Sequence, residues 1–180
     1  MQPVMQHVNI KIFADRADIQ IGDAVAVFHR WIQDSAAPEL LIDVADYKHV
    51  PDGPGVLLIG HEANYSLDQT GGRLGLLYNR KAAVEGDAQA ALRQAFDAAL
   101  SAARRLETEA PFAGKLHFDE GDVEVIVNDR LIAPNTDATW DALSPEIERF
   151  FASLYGEGRV ALERRGEPRE RFRVGVQRKA

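Results

Sequence analysis

Apolar and polar residues alternate through residues 8–14 (VNIKIFA), the pattern of a strand with one buried face. Asp23 then stands where a helix cap is wanted, and Val27, Phe28, Trp31 and Ile32 share one face of the helix that would follow, with Pro38 beyond its end. A second strand is expected over residues 40–47 (LLIDVADY), and the Pro-Asp-Gly-Pro-Gly run at 51–55 reads as a loop. Residues 56–67 read as one long third strand. Gln69-Thr70-Gly71-Gly72 turns it back into a fourth over residues 73–80.

The strongest helical signal covers residues 87–107, an alanine-rich segment free of Gly and Pro in which Leu92, Phe96, Leu100, Ala103 and Leu106 recur at helical spacing. Residues 115–118 and 123–128 predict a hairpin around Asp119-Glu120-Gly121-Asp122. A third helix carries Trp140, Leu143, Ile147, Phe150, Phe151 and Leu154. Asn135 or Thr136 would cap it, and Ser144-Pro145 would break it into two pieces at a bend. Residues 159–163 and 169–176 close the chain as a hairpin.

The expected order is β-α-β-β-β-α-β-β-α-β-β. Short turns between successive strands imply a mostly antiparallel sheet of about eight strands, with three helices on one face: an α+β fold in one domain, residues 1–180.

Composition narrows the chemistry. The chain has 180 residues, 46% of them hydrophobic, a formal charge of −7 and no cysteine. That is too apolar for a disordered chain, and it removes thiol nucleophiles, disulfides and thiolate metal sites. Residues 159–180 hold eight basic against three acidic residues, a local +5 that leaves −12 on residues 1–158. Met1-Gln2-Pro3-Val4-Met5-Gln6-His7 lacks a basic stretch leading into an apolar one, and no apolar run nears the ~18 residues of a membrane helix. A cytoplasmic protein without a membrane segment is expected. Phosphate loops, dinucleotide fingerprints, nucleophile elbows and zincin motifs are missing, and no family motif matches residue by residue.

Candidate chemistry sits in the second to fourth strands, which carry more polar residues than a plain core needs: Asp43 and Asp46; His61, Glu62, Asn64 and Tyr65; Tyr78, Asn79 and Arg80. With the turn centred near Thr70, His61 would face Asn79 and Glu62 would face Tyr78, with Arg80 beside Glu62. The block reads as a site for a small ligand or a protein partner. Alternatively it is a cofactor-independent acid–base site for an anionic small molecule, with His61 or Glu62 moving the proton, Tyr78 donating a hydrogen bond and Arg80 holding charge. A wet sheet face would use the same residues with no function. A metal would need His61, His49 and Asp43 or Asp46, a loose set, so neither metal nor cofactor is expected.

Residues 128–130 and 134–135 are turn chemistry or the rim of a cleft. His117 is expected to face Glu124 across its hairpin. Arg171 and Arg173 flank Phe172 and would carry any nucleic-acid contact, a role the acidic body argues against. A homo-oligomer is compatible with all of this.

Overall fold

Val8–Ala17, the first alternating segment, becomes a central strand (β1). Its apolar positions Val8, Ile10 and Ile12 are buried. The structure, a computed structural model, describes residues 5–180. After β1 come α1 (Ala24–Gln33), β2 (Leu41–Tyr47), β3 (Gly55–Gly60), β4 (Ala63–Asp68), β5 (Gly75–Arg80) and α2 (Ala88–Thr108). Then follow β6 (Leu116–Val127), α3 (Asp137–Tyr155), β7 (Val160–Arg165) and β8 (Phe172–Arg178). The eight strands form one antiparallel sheet in the order β2-β3-β4-β5-β1-β6-β8-β7, an α+β architecture as the alternation implies.

Directly paired residues point to the same side of a sheet, so one register row identifies each face. The row Leu58, Tyr65, Tyr78, Ile10, Val125 and Val174 lies on the buried side. Helix α2 packs there across β1, β5 and β6; α1 lies on β2 and β3, and α3 on β7 and β8. Alanines let α2 settle close to the strands: Ala91, Ala95, Ala99, Ala102 and Ala103 are buried beside Leu92, Phe96 and Leu106.

Two segments exchange roles relative to the expected order. Residues 56–67 are a tight hairpin, β3 and β4, with His61-Glu62 as its loop. The turn is held from outside: Glu39 Oε2 accepts the backbone N–H groups of Glu62 (3.0 Å) and Ala63 (2.7 Å). Conversely, residues 116–127 are one strand. Asp119-Glu120-Gly121-Asp122 forms a bulge opposite Phe13, between the pairs Ile12–Val123 and Ala14–Phe118. Asp119 accepts the Gly121 N–H, while Arg104 and Arg73 take Glu120 and Asp122. The same turn-forming residues can therefore relieve a bulge as well as reverse a chain.

Caps differ in detail. Asp87 caps α2, accepting Ala90 N–H at 3.0 Å, whereas Asp23 makes no side-chain cap for α1. Thr136 caps α3, which runs unbroken through Pro145. Asn135 instead donates to the carbonyls of Arg165 and Glu167, pinning the β7–β8 turn. Among the described residues no helix is long and apolar enough to cross a membrane.

On the helix-free side, Asn64, Asn79, Asn9, Ile126, Arg173 and Arg165 form one row from β4 to β7. The β4–β5 turn is tied to this face by Lys11, which is 3% exposed. Its ammonium donates to Asp68 Oδ2 (2.6 Å) and to the carbonyls of Thr70 (3.2 Å) and Arg73 (2.7 Å). Gly71 and Gly72, at φ of +74° and +71°, make the turn possible.

His117 meets Asp15 (2.6 Å) rather than Glu124, because β6 has no hairpin to bring Glu124 back. The hydrogen bond to Asp15 holds the His117 pKa above its ordinary value. A raised folded-state pKa stabilises the fold fully below the ordinary value of about 6.5 and loses that effect as pH rises through the folded value. The stability difference between wild type and Asp15→Asn should thus be larger at pH 5.5 than at pH 8.5 in urea unfolding. An equal difference at both pH values would remove this role for the pair.

Candidate functional site

On the buried side of β4 and β5, Tyr65 and Tyr78 stand directly opposite each other, their rings edge to face with centroids 5.2 Å apart. Each hydroxyl is taken by a different neighbour. Tyr65 donates to Glu39 Oε1 at 3.0 Å, and Tyr78 accepts from Gln94 Nε2 of α2 at 2.8 Å. Burial pushes both phenols up, and for Tyr65 the charge of Glu39 pushes further, so both stay protonated. Arg80, two residues after Tyr78, lies on the same side of β5 and pairs with Glu62 at 3.0 Å, reaching back to the Ala82 carbonyl as well.

These groups line part of a cleft between α1, α2 and the sheet. Its larger chamber measures about 350 Å³ and is lined by Trp31, Pro38, Leu58, Tyr65, Gln94 and Ala98. The space exists because Ala36, Ala37, Ala98 and Ala102 present methyl groups where larger side chains would fill it. A second hollow of about 260 Å³ adjoins it and is lined by Glu39, Glu62, Tyr65, Tyr78, Arg80 and Gln94. Four of the lining residues are common to both.

One buried polar atom of the residues lining this cleft has no partner among the described residues. The Gln94 amide spends one end on Tyr78, while Oε1 is buried and unpaired. In either orientation of the amide, one of its two ends is unsatisfied. A buried amide left so costs about 1–3 kcal/mol, a cost that a ligand group supplying the bond would remove.

The polar block expected from the sequence divides accordingly. Glu62, Tyr65, Tyr78 and Arg80 come together at the cleft. Asn64 and Asn79 face each other, but on the helix-free side. His61 is exposed in the β3–β4 loop and faces no residue of β5. Asp43 is exposed and accepts the Val44 N–H; Asp46 pairs with Lys48 (2.9 Å), whose hydrogen bonds lower its pKa. The pairing expected for β4 and β5 is off by three positions because the turn centres between Gly71 and Gly72, not near Thr70. An odd shift moves every side chain to the other face, so Glu62 loses Tyr78 as its opposite and Tyr65 gains it.

The loose metal set is pulled apart as well. His49 follows the β2 end that pairs with Gly55, and His61 follows Gly60. The six residues of β3 set them about 20 Å apart. Among the described residues no three His, Cys, Asp or Glu side chains cluster as metal ligands would.

Trp31, expected only on the apolar face of the first helix, completes the cleft with Glu39 and Gln94, which nothing in their own segments marked. Gln94 sits between the apolar positions Leu92 and Phe96, and Glu39 precedes a strand as any solvated residue might. Only the contact between α2 and β5 gives the first its place, and only the β3–β4 turn gives the second. Compared with protein-family models and with curated proteins, the sequence matches none.

Proposed function

We propose that this protein binds a small, mostly apolar molecule bearing a hydroxyl-like group, held between α1, α2 and the sheet. The observation that carries the reading is the unpaired amide end of Gln94 at the wall of an otherwise largely apolar cavity of about 350 Å³. That volume falls within the range of small-molecule sites, where a few placed polar groups orient an apolar body. A hydroxyl can both donate and accept, so it satisfies the free amide end in either orientation. Trp31, Leu58 and the ring of Tyr65 supply apolar wall, and the Glu62–Arg80 pair gives the adjoining hollow a charged border.

The acid–base alternative has less support at this place. Glu62 is tied to Arg80, and His61, the other group that would move the proton, is exposed in a loop.

Cyclohexanol serves as probe and methylcyclohexane as the control without a polar group. Binding is read from Trp31 emission in a Trp140→Phe background, since Trp31 lines the chamber. Cyclohexanol should change the emission saturably, and Ala98→Trp, which fills the chamber, should abolish the response. Gln94→Met should remove the preference for the alcohol over the hydrocarbon by about tenfold, the value of one hydrogen bond to a buried group. No response to cyclohexanol, or an undiminished one in Ala98→Trp, overturns the reading.

A further inference from the structure

The helix-free side carries a second concavity with the opposite chemistry. The β4–β5 turn overhangs the sheet at Thr70, the residues after β6 rise at Asn128 and Arg130, and the β7–β8 turn returns through Arg169, Glu170 and Arg171 to Arg173. Together they enclose a cleft of about 710 Å³ lined by four arginines and one glutamate. A local excess of three positive charges runs against a chain whose formal charge is −7.

The arginines are not consumed by internal pairing. Arg130 donates to the Arg169 carbonyl (3.0 Å) and Arg171 to Asn128 Oδ1 (3.2 Å); neither forms a salt bridge among the described residues. Arg169 meets Glu167 at 3.2 Å, but that pair is widely exposed. Arg173 and Arg165 share one carboxylate oxygen, Glu124 Oε1, at 3.1 and 3.3 Å. Arg165 also meets Glu163 at 3.4 Å, so Glu124 is the carboxylate that Arg173 has to share.

The second observation is the Nε–H of Arg173, which is buried and has no acceptor among the described residues. Guanidinium nitrogens only donate, so the missing partner is an acceptor. Arg173 lines both this cleft and the adjoining hollow of about 280 Å³ that also includes Lys11, Arg73 and Arg165. An oxyanion held between Arg130, Arg171 and the accessible edge of Arg173 would balance the local charge. Planar guanidinium forks suit phosphate and carboxylate oxygens, which they engage two at a time.

We propose that this arginine-lined cleft on the helix-free side binds a small molecule carrying adjacent oxyanion groups, phosphate or carboxylate. Its volume fits a small molecule. The lining of the cleft includes no aromatic side chain on which the bases of a single strand could stack, which favours a small polyanion over nucleic acid. The site lies across the sheet from the apolar cavity and stands or falls separately from it.

The test uses the full chain, with inorganic triphosphate as the phosphate probe, citrate as the carboxylate probe and a twelve-nucleotide single-stranded DNA as the macromolecular comparison, all by titration calorimetry. One or both small anions should bind saturably at low salt. Arg130→Ala/Arg171→Ala should weaken that binding at least tenfold, while Arg130→Lys/Arg171→Lys should fall between, because charge remains without the fork. Arg104→Ala, next to a different hollow, is the control and should change nothing. Arg130 is exposed and Arg171 half-buried, so circular dichroism should show both double variants folded. Tighter binding by triphosphate assigns the site to phosphates, and by citrate to carboxylates. Binding of neither, equal binding by the alanine variant, or binding of the DNA alone overturns the proposal.

Discussion

Lys11→Ala should destabilise the protein by about 3–5 kcal/mol, because it strands a buried carboxylate. Asp68 is 1% exposed and takes the Lys11 ammonium at 2.6 Å, and the other two ammonium bonds go to carbonyls of the β4–β5 turn. Removing the lysine leaves Asp68 with only the N–H and hydroxyl of Thr70. For a chain of this length the loss corresponds to roughly 6–20 °C in melting temperature. Urea unfolding of Lys11→Ala, and of a Lys11→Met/Asp68→Leu double variant, separates the causes. The double variant removes both charges and should recover most of the loss. If it is no more stable than Lys11→Ala, the uncompensated charge is not the reason. Since Thr70 lines the arginine cleft, the single variant should also loosen one of its walls.

Phe151→Ala should cost a similar amount, about 3–5 kcal/mol, for a different reason. Phe151 is fully buried where α3 meets α2, with its ring edge-on to Phe96 (5.7 Å) and Phe150 (5.0 Å). Alanine there leaves a cavity that the rings of Phe96, Phe150 and Tyr155 and two helix backbones cannot close. Phe151→Leu keeps most of the volume and should lose much less. A double-mutant cycle between Phe96→Ala and Phe151→Ala should show a coupling of about 0.5–1.5 kcal/mol. Strict additivity would mean that the ring contact contributes nothing beyond burial.

The helices were largely legible because their signal is local. The α2 stripe with Asp87 at its head needs nothing from the rest of the chain to be read. Strand boundaries were less legible where turn-forming residues serve two purposes. Asp119-Glu120-Gly121-Asp122 looks the same whether the chain reverses or bulges, and the partner strand β1 decides it. His61-Glu62 has none of the usual turn residues in its loop, since Glu39, more than twenty positions earlier, holds the turn. A strand run of twelve residues and two of six have the same alternation.

The candidate site shows the same division. That β4 and β5 carry functional-looking groups was visible from their polar excess, and Glu62, Tyr65, Tyr78 and Arg80 do converge. Which of the polar residues share a face was not visible, because a three-position shift in the pairing inverts the assignment. The arginine-rich end was noted at Arg171 and Arg173 as a basic strand. Its concavity depends on Thr70 and Arg130, which approach from other parts of the chain.

By itself, then, the sequence determined the α+β class, the three helices, a cysteine-free chemistry and a basic tail on an acidic body, because periodicity and composition act within a few residues. Tertiary structure alone decided strand register, the apolar cavity under α1 and α2, and the cleft that gathers four arginines. Each of those depends on pairings between residues far apart in the chain, and a shift of one position in such a pairing turns an inward side chain outward.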